Sequence, residues 1–233
     1  MDKILALIPS RSGSKRVPNK NIRPFGRGSN LTEIAIKQAL GIPQITTVAL
    51  TTDSEDLLVM FQDISELECI KRPAEISDDK APAIAYVRHA LKLLEHKLNI
   101  RYDYVMILQP TSPLRLKEDI VGTIQLMYKH PEADSAVSVM KVDHLNNPIK
   151  MKVMDGDELV PFFEHERGRL AVDQLPVLYV RNCAVYITRR KEIDTFIDVM
   201  GNTSVGYPMP AERSIDINEM IDFDIAEYLF NKK

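Results

Sequence analysis

Ile4-Leu5-Ala6-Leu7-Ile8-Pro9-Ser10-Arg11-Ser12-Gly13-Ser14-Lys15-Arg16-Val17-Pro18-Asn19-Lys20-Asn21 joins an apolar run to a loop dense in positive charge. Five apolar residues closed by a proline read as a strand buried on both faces, which belongs in a parallel sheet. In such sheets, ligands bind at the loops that follow the strand C-termini. Residues 10–27 hold six basic side chains (Arg11, Lys15, Arg16, Lys20, Arg23, Arg27) and no acidic one. Gly13 permits close backbone approach, and Ser12 and Ser14 add hydroxyl donors, so the loop is a candidate cradle for a polyphosphate. A merely solvated basic loop is the competing reading. Neither G-x-x-x-x-G-K-[ST] nor G-x-G-x-x-G is present, which disfavours P-loop and dinucleotide enzymes.

Outward from this stretch, strands and helices alternate. Asn30 with Glu33 resembles a capping box that opens a helix to about Leu40. Thr46–Thr51 reads as a strand, Asp53 and Ser54 offer caps for a helix ending near Gln62, and Leu67–Ile70 reads as a short strand. Ala83–Leu98 carries a helical apolar period, followed by a strand at Tyr104–Leu108, a helix at Glu118–Tyr128 and a strand at Ala136–Val142. This rhythm predicts an α/β fold, a mostly parallel sheet with helices on both faces. It breaks near residue 143: Ile149–Val160 reads as a hairpin around Asp155-Gly156-Asp157, and 161–178 is irregular. An insertion of this kind, at about 143–178, suits a lid or an oligomer arm. A strand at Tyr179–Ile187 and a helix at about Met220–Phe230 complete the chain.

The 233 residues suggest one domain with a small appended lobe. Two cysteines, Cys69 and Cys183, exclude a disulfide framework and fit a reducing compartment. No apolar stretch reaches the roughly 20 residues that span a bilayer, and the first residues are quickly too charged for a signal peptide. The protein is therefore expected to be soluble and cytoplasmic. A net charge of -3 argues against coating nucleic acid or an anionic membrane. That balance hides a separation: residues 212–227 hold six acidic side chains against Arg213 alone.

Three further places invite chemistry. Thr51-Thr52-Asp53-Ser54 ends a strand, with a simple helix cap as the bland reading. Gln109 leaves the Tyr104 strand before two stiffening prolines, Pro110 and Pro113, and could bond a polar substrate. Asp216 and Asn218, two apart in an extended segment, share a side and offer oxygen ligands that suit Mg²⁺ together with substrate phosphates. Asp222 and Asp224 are expected to favour a helix N-terminus. No G-x-S-x-G elbow occurs, and the five histidines lack metal-ligand spacing.

The run from Ile8 to Ile22 closely resembles the signature of the CMP-sialic acid synthetases, the acylneuraminate cytidylyltransferases. Thr51-Thr52-Asp53-Ser54-Glu55, Arg72-Pro73-Ala74-Glu75, Gln109-Pro110-Thr111-Ser112-Pro113-Leu114-Arg115 and Asp216-Ile217 with Asp222 match further blocks in order. The resemblance implies a Rossmann-like nucleotidyltransferase fold with a dimerisation arm at about 143–178, and a homodimer. It implies CTP and a 2-keto sugar acid as partners, with CMP passing to the 2-hydroxyl of a nonulosonic acid, Mg²⁺ as cofactor and pyrophosphate as product. Arg11, Lys15 and Asn21 would then hold the nucleotide with Ser12, Gly13, Ser14 and Arg72. Arg11, Lys20 and Asp216 would act in catalysis, Gln109 and Asn182 would bind the sugar acid, and Asp216 with Asn218 would bind the metal.

Three departures are visible. The second metal aspartate is Asn218, the usual Asn-Gly is Asn182-Cys183, and an Arg-Arg-Gln-like run is replaced by Ala171-Val172-Asp173-Gln174. The last two lie on the sugar side, which points to an acid other than N-acetylneuraminic acid, such as legionaminic or pseudaminic acid. A nucleotidyltransferase with another nucleotide or sugar, and a non-catalytic nucleotide-binding homologue, are the alternatives.

Overall fold

The computed structural model describes residues 2–78, 80–162 and 175–232. The expected alternation is present: β1 (Ile4–Pro9), α1 (Leu31–Leu40), β4 (Thr47–Thr52), α2 (Glu55–Phe61), β5 (Leu67–Lys71), α3 (Ala83–Leu98), β6 (Tyr104–Ile107), α4 (Lys117–Lys129) and β7 (Ser135–Lys141). Two-residue strands β2 (Pro24–Phe25) and β3 (Ser29–Asn30) pair between β1 and α1. The insertion forms the hairpin β8 (Lys152–Asp155) and β9 (Glu158–Pro161). It starts later than expected because Asn147, whose side chain accepts from Ile149 N–H, caps a 3₁₀ turn at Pro148–Lys150. β10 (Tyr179–Arg189), β11 (Ser204–Pro208) and α5 (Met220–Asn231) follow.

Seven strands form one sheet in the order β5-β4-β1-β6-β10-β7-β11. β10 runs antiparallel to both its neighbours, while the other pairings are parallel. The expected α/β architecture thus holds, with one reversed strand. Edge strand β11 is not among the expected elements, since Ser-Val-Gly-Tyr-Pro lacks the unbroken apolar run of a doubly covered strand.

Alternation along β1 divides the core. Ile4, Ala6 and Ile8 pack with Ala35 and Ile36 of α1, Leu57 of α2 and Ile120 and Ile124 of α4. Leu5 and Leu7 face the opposite way, against Ile84, Val87, Leu91 and Leu94 of α3. From β1 the chain steps outward to β4 and β5, then returns to β6 on the other side. The loops after β1 and β6 therefore flank a topological switch point, where doubly wound sheets bind ligands.

A third cluster fixes the chain's end beside that crevice. Val17, Phe25, Leu31 and Leu114 bury Ile217, Phe223 and Ala226. The Phe25 ring meets Phe223 and Phe230 edge-on, both at 5.2 Å between centroids. Gly26 makes this possible: its φ is +61°, its N–H bonds Glu227 Oε1 at 2.9 Å, and a Cβ there would lie 2.7 Å from Phe230 Cδ1. Gly26→Ala should cost about 2–3 kcal/mol, from left-handed strain plus overpacking, and lower Tm by roughly 5–10 °C. An unchanged melting curve would show that α5 is not seated by this contact.

Candidate active site

The loop after β1 is held by its own bonds and by those of its neighbours. Ser10 is fully buried; its N–H reaches Thr51 O at 3.0 Å and its hydroxyl lies 2.8 Å from Thr32 Oγ1. The Thr32 hydroxyl donates to Asn21 O at 3.0 Å, and Asn21 Nδ2 donates to Arg11 O at 3.2 Å. Asn19 takes a left-handed φ of +56°, and its carbonyl accepts from Ile22 and Arg23. A Cβ at Gly13 would meet no atom within 4 Å, so nothing in the protein's own packing demands glycine there.

Asp53 is more than a strand-end polar residue. Ser54, not Asp53, caps α2 by accepting from Leu57 N–H. The Asp53 carboxylate instead accepts the Ser12 N–H at 2.8 Å and the Ser12 hydroxyl at 2.6 Å. Burial works to raise its pKa, yet the two bonds from Ser12, its own backbone N–H and the Arg72 charge together hold the carboxyl below its usual range. Ser12, expected to offer its hydroxyl to a ligand, has both donors committed to this clamp.

Arg11, Ser14, Lys15, Lys20 and Asn21 line one cleft of about 310 Å³. Arg72, Gln109 and Asn218 border the same space, as does Arg16, a member of the basic run for which no separate role was expected. Arg72 is buried, with Nε on Thr51 Oγ1 at 3.2 Å, one terminal nitrogen on Thr51 O at 2.7 Å, and its guanidinium 4.7 Å from the Tyr86 ring centre. Burial pushes the Tyr86 phenol up to about 12, against the nearby Arg72 charge. Its hydroxyl is buried without a partner at the cleft wall, and so is Asn21 Oδ1. Tyr86 lies on the buried face of α3, so in the sequence it reads as core.

Lys20 Nζ donates to the Ile217 carbonyl at 2.5 Å. Burial pulls the ammonium below its ordinary pKa, Arg16 and Arg11 act the same way, and Asp216 and Asp222 oppose them. Ile217 is fully buried, and Asp216 and Asn218 on either side of it bond each other at 2.9 Å. Asn218 Nδ2 is the donor there, while its Oδ1 accepts from Arg16 at 3.1 Å. A flipped amide would set donor against donor at Arg16 and acceptor against acceptor at Asp216, so the neighbours fix the orientation. The carbonyl oxygen of Asn218, expected to bind metal, accepts here from Arg16. Asp216 alone fits as a hard oxygen ligand, enough for a cation that takes one carboxylate plus phosphates. Among the described residues, no three His, Cys, Asp or Glu side chains group to hold a metal. Asp222 caps α5, accepting from Asn218 and Glu219 N–H at 2.9 and 2.8 Å.

Asn182, expected to touch substrate, is buried and is not among the residues that line the cleft. Its Oδ1 accepts from the Ser138 hydroxyl at 2.6 Å, and its Nδ2 donates to Ser214 Oγ at 2.8 Å. These bonds hold the irregularity where the β10–β7 register slips, with Cys183 left-handed at φ +61°. The substituted run Ala171–Gln174 lies outside the described residues.

A family model described as cytidylyltransferase matches residues 5–229. The chain belongs to the cytidylyltransferase family. It is 36% identical over 230 residues to the pseudaminic acid cytidylyltransferase of Campylobacter jejuni, covering 98% of this chain and 96% of the relative. It is 28% identical over 238 residues to the CMP-N,N'-diacetyllegionaminic acid synthase of Legionella pneumophila, covering 97% and 96%. The N-acylneuraminate cytidylyltransferase of Escherichia coli is 29% identical over 232 residues; the match covers 99% of this chain but 53% of that protein, so the chain spans about half its length. A solved CMP:2-keto-3-deoxy-manno-octonic acid synthetase complexed with CTP superposes with a TM-score of 0.69 at 16% identity, covering 99% of each chain. A 4-diphosphocytidyl-2C-methyl-D-erythritol synthase gives 0.67 at 12%, covering 99% and 100%. These two share the Rossmann-like fold.

The Ser12–Asp53 clamp stabilises above the unfolded aspartate pKa of about 3.9 and is lost as pH falls through the lower folded value. Asp53→Ala should therefore cost about 1 kcal/mol at pH 7, and the gap to the parent should narrow as pH falls below the unfolded aspartate value of about 3.9. Melting curves across that range check it; a gap independent of pH would refute the clamp.

Proposed function

We propose that this cytidylyltransferase transfers CMP from CTP to the 2-hydroxyl of a nonulosonic acid and releases pyrophosphate. One observation carries the reading: four cations of a single loop, Arg11, Lys15, Arg16 and Lys20, converge with Arg72 and Gln109 on one cleft at the switch point. The relatives named for pseudaminic, legionaminic and N-acylneuraminic acids support this acceptor class.

In the proposed reaction the acceptor hydroxyl gives up its proton to solvent as its oxygen attacks the α-phosphorus, a new P–O bond forms, and the bond to the β,γ-diphosphate breaks. Negative charge gathers on the departing pyrophosphate, so catalysis is chiefly position and neutralisation. Lys20 suits that role, because the carbonyl of Ile217 fixes its ammonium before substrate arrives. Arg11 and Lys15 would bind the outer phosphates, Ser14 and the Gly13 backbone would approach them, and Arg72 with Asn21 would meet the nucleoside. Gln109 at the end of β6 would bond the sugar acid. Asp216 would hold Mg²⁺ together with the phosphates, and the bound metal would add positive charge there.

The same reading covers the surroundings. Val153, Met154, Leu159 and Phe162 are exposed on and beside the β8–β9 hairpin, an apolar surface that a second copy of the chain would cover as a dimerisation arm. The cations line a cleft rather than a broad face, which suits small substrates and not nucleic acid or a membrane. Among the described residues no helix is long and apolar enough to cross a membrane, and the free thiols Cys69 and Cys183 suit the cytoplasm.

Pyrophosphate release from CTP with a panel of nonulosonic acids, at several Mg²⁺ concentrations, tests the proposal. Release with at least one acid is expected, and silence with all of them refutes it. Lys20→Ala should lower kcat/KM by roughly 10²-fold without changing Tm by more than a few degrees; full activity in that variant would remove Lys20 from the reaction.

A further inference from the structure

Arg115 is a cation fully buried beside the cleft, and the proposed reaction gives it no part. It is 1% exposed, and burial lowers its pKa to about 9, which leaves it charged at neutral pH. Its bonds go to neutral oxygens. Nε donates to Gln38 Oε1 at 2.9 Å, one terminal nitrogen donates to Gln109 O at 2.8 Å and to Ala184 O at 2.7 Å, and the other is buried with no partner. Asp119 acts on it through space, but that carboxylate is held by Arg213 at 2.7 and 3.0 Å. A buried charge with no carboxylate in contact is costly, so a bland packing role would be served better by an apolar side chain.

Where those two carbonyls lie gives the charge a purpose. β10 pairs antiparallel with β6, Tyr186 opposite Ile107 and Ile187 opposite Met106. Continued by two residues, this register sets Ala184 opposite Gln109, yet the pairing ends before that position. Pro110 has no N–H to extend the ladder and turns the chain away. At that place the guanidinium stands between the strands and donates to both facing carbonyls. Gln38 completes the wedge from α1, its Nε2 donating to Pro113 O at 3.1 Å and Arg115 O at 2.8 Å. Arg115 thus joins Gln109, just past the end of β6, to the middle of β10 beside the left-handed Cys183.

We propose that Arg115 is a positioning residue for the acceptor: it wedges β6 from β10 and so sets where Gln109 stands at the sugar-acid end of the cleft. The inference rests on the acceptor class proposed above. It assigns Arg115 an effect on acceptor binding rather than on the nucleotide, because its hydrogen bonds go to Gln38, Gln109 and Ala184 and not to the loop after β1.

The test compares Arg115→Lys and Arg115→Met with the parent. Hydrogen exchange followed by mass spectrometry should show segments 105–116 and 180–188 exchanging at least tenfold faster, with the loop 10–23 unchanged. With CTP and the acid that releases pyrophosphate, the acceptor KM should rise at least tenfold while the CTP dissociation constant, from calorimetry without acceptor, stays within threefold. Arg115→Lys, which keeps a donor but not the fork, should recover part of the loss. The effects of Arg115→Met and Gln109→Ala on acceptor KM should be less than additive, since one acts through the other. An acceptor KM within twofold of the parent, a CTP constant rising in proportion, full additivity, or unchanged exchange would each overturn the proposal. If Arg115→Met does not fold, Gln38→Ala, which removes the Nε partner and the two bonds to the 113–115 backbone but leaves the guanidinium on both strand carbonyls, carries the same expectations at smaller amplitude. A parent silent with all acids would refute the acceptor reading, whereas the exchange result judges the wedge independently.

Discussion

The backbone of Ile217 holds the cleft together. Its carbonyl accepts from Lys20 Nζ at 2.5 Å, and its N–H donates to Thr111 O at 2.9 Å, so one residue joins the loop after β1 to the loop after β6. Its side chain is fully buried with Val17, Leu114 and Phe223, which ties that junction to the C-terminal helix. Residues far apart in sequence thereby meet in register, and of the two flanking side chains Asn218 reaches the cleft and holds Asp216 beside it. Bringing the Lys20 ammonium out of water is unfavourable; the carbonyl bond and the Asp216 and Asp222 charges offset that cost. The cation is set before any ligand arrives, the form of electrostatic organisation that spares reorganisation during reaction.

Around this junction the sheet supplies the frame. β1 and β6 are neighbours although two strands of the same sheet and three helices separate them in sequence, and their loops open on the same side. Two clamps then sharpen the loops: Asp53 draws in Ser12 from the β4 side, and Arg115 spans Gln109 and Ala184 on the β10 side. Asn182 serves the same end from behind, fixing the irregular turn of β10 through Ser138 and Ser214.

The fold was legible in the sequence wherever burial wrote a period. Apolar runs such as Ile4–Ile8 and helical spacing such as Ile84, Val87 and Leu91 gave strands and helices on both faces. β11 escaped because an edge strand needs no apolar run, and the reversal of β10 because strand direction leaves no mark on a buried segment. The basic loop was visible as a run of like charge, Gln109 from its place at a strand end, and Arg72 through resemblance. What sequence could not show was partnership. Asn182 and Asn218 are amides whose roles depend on who faces them: one bonds within a hydroxyl network, the other bonds Arg16 and Asp216. Arg115 reads as one more loop cation until its burial is seen, and Tyr86 as core until it is found beneath Arg72.

The central claim is that the cleft directs attack at the α-phosphorus of CTP and not at the outer phosphates. Tracing that atom tests it most directly: CTP labelled at the α-phosphorus is turned over with an active acid, and the products are separated. The label should appear wholly in a CMP–sugar acid diester, with unlabelled pyrophosphate beside it. Label in free CMP alone, or phosphate transferred from the γ-position, would contradict the account.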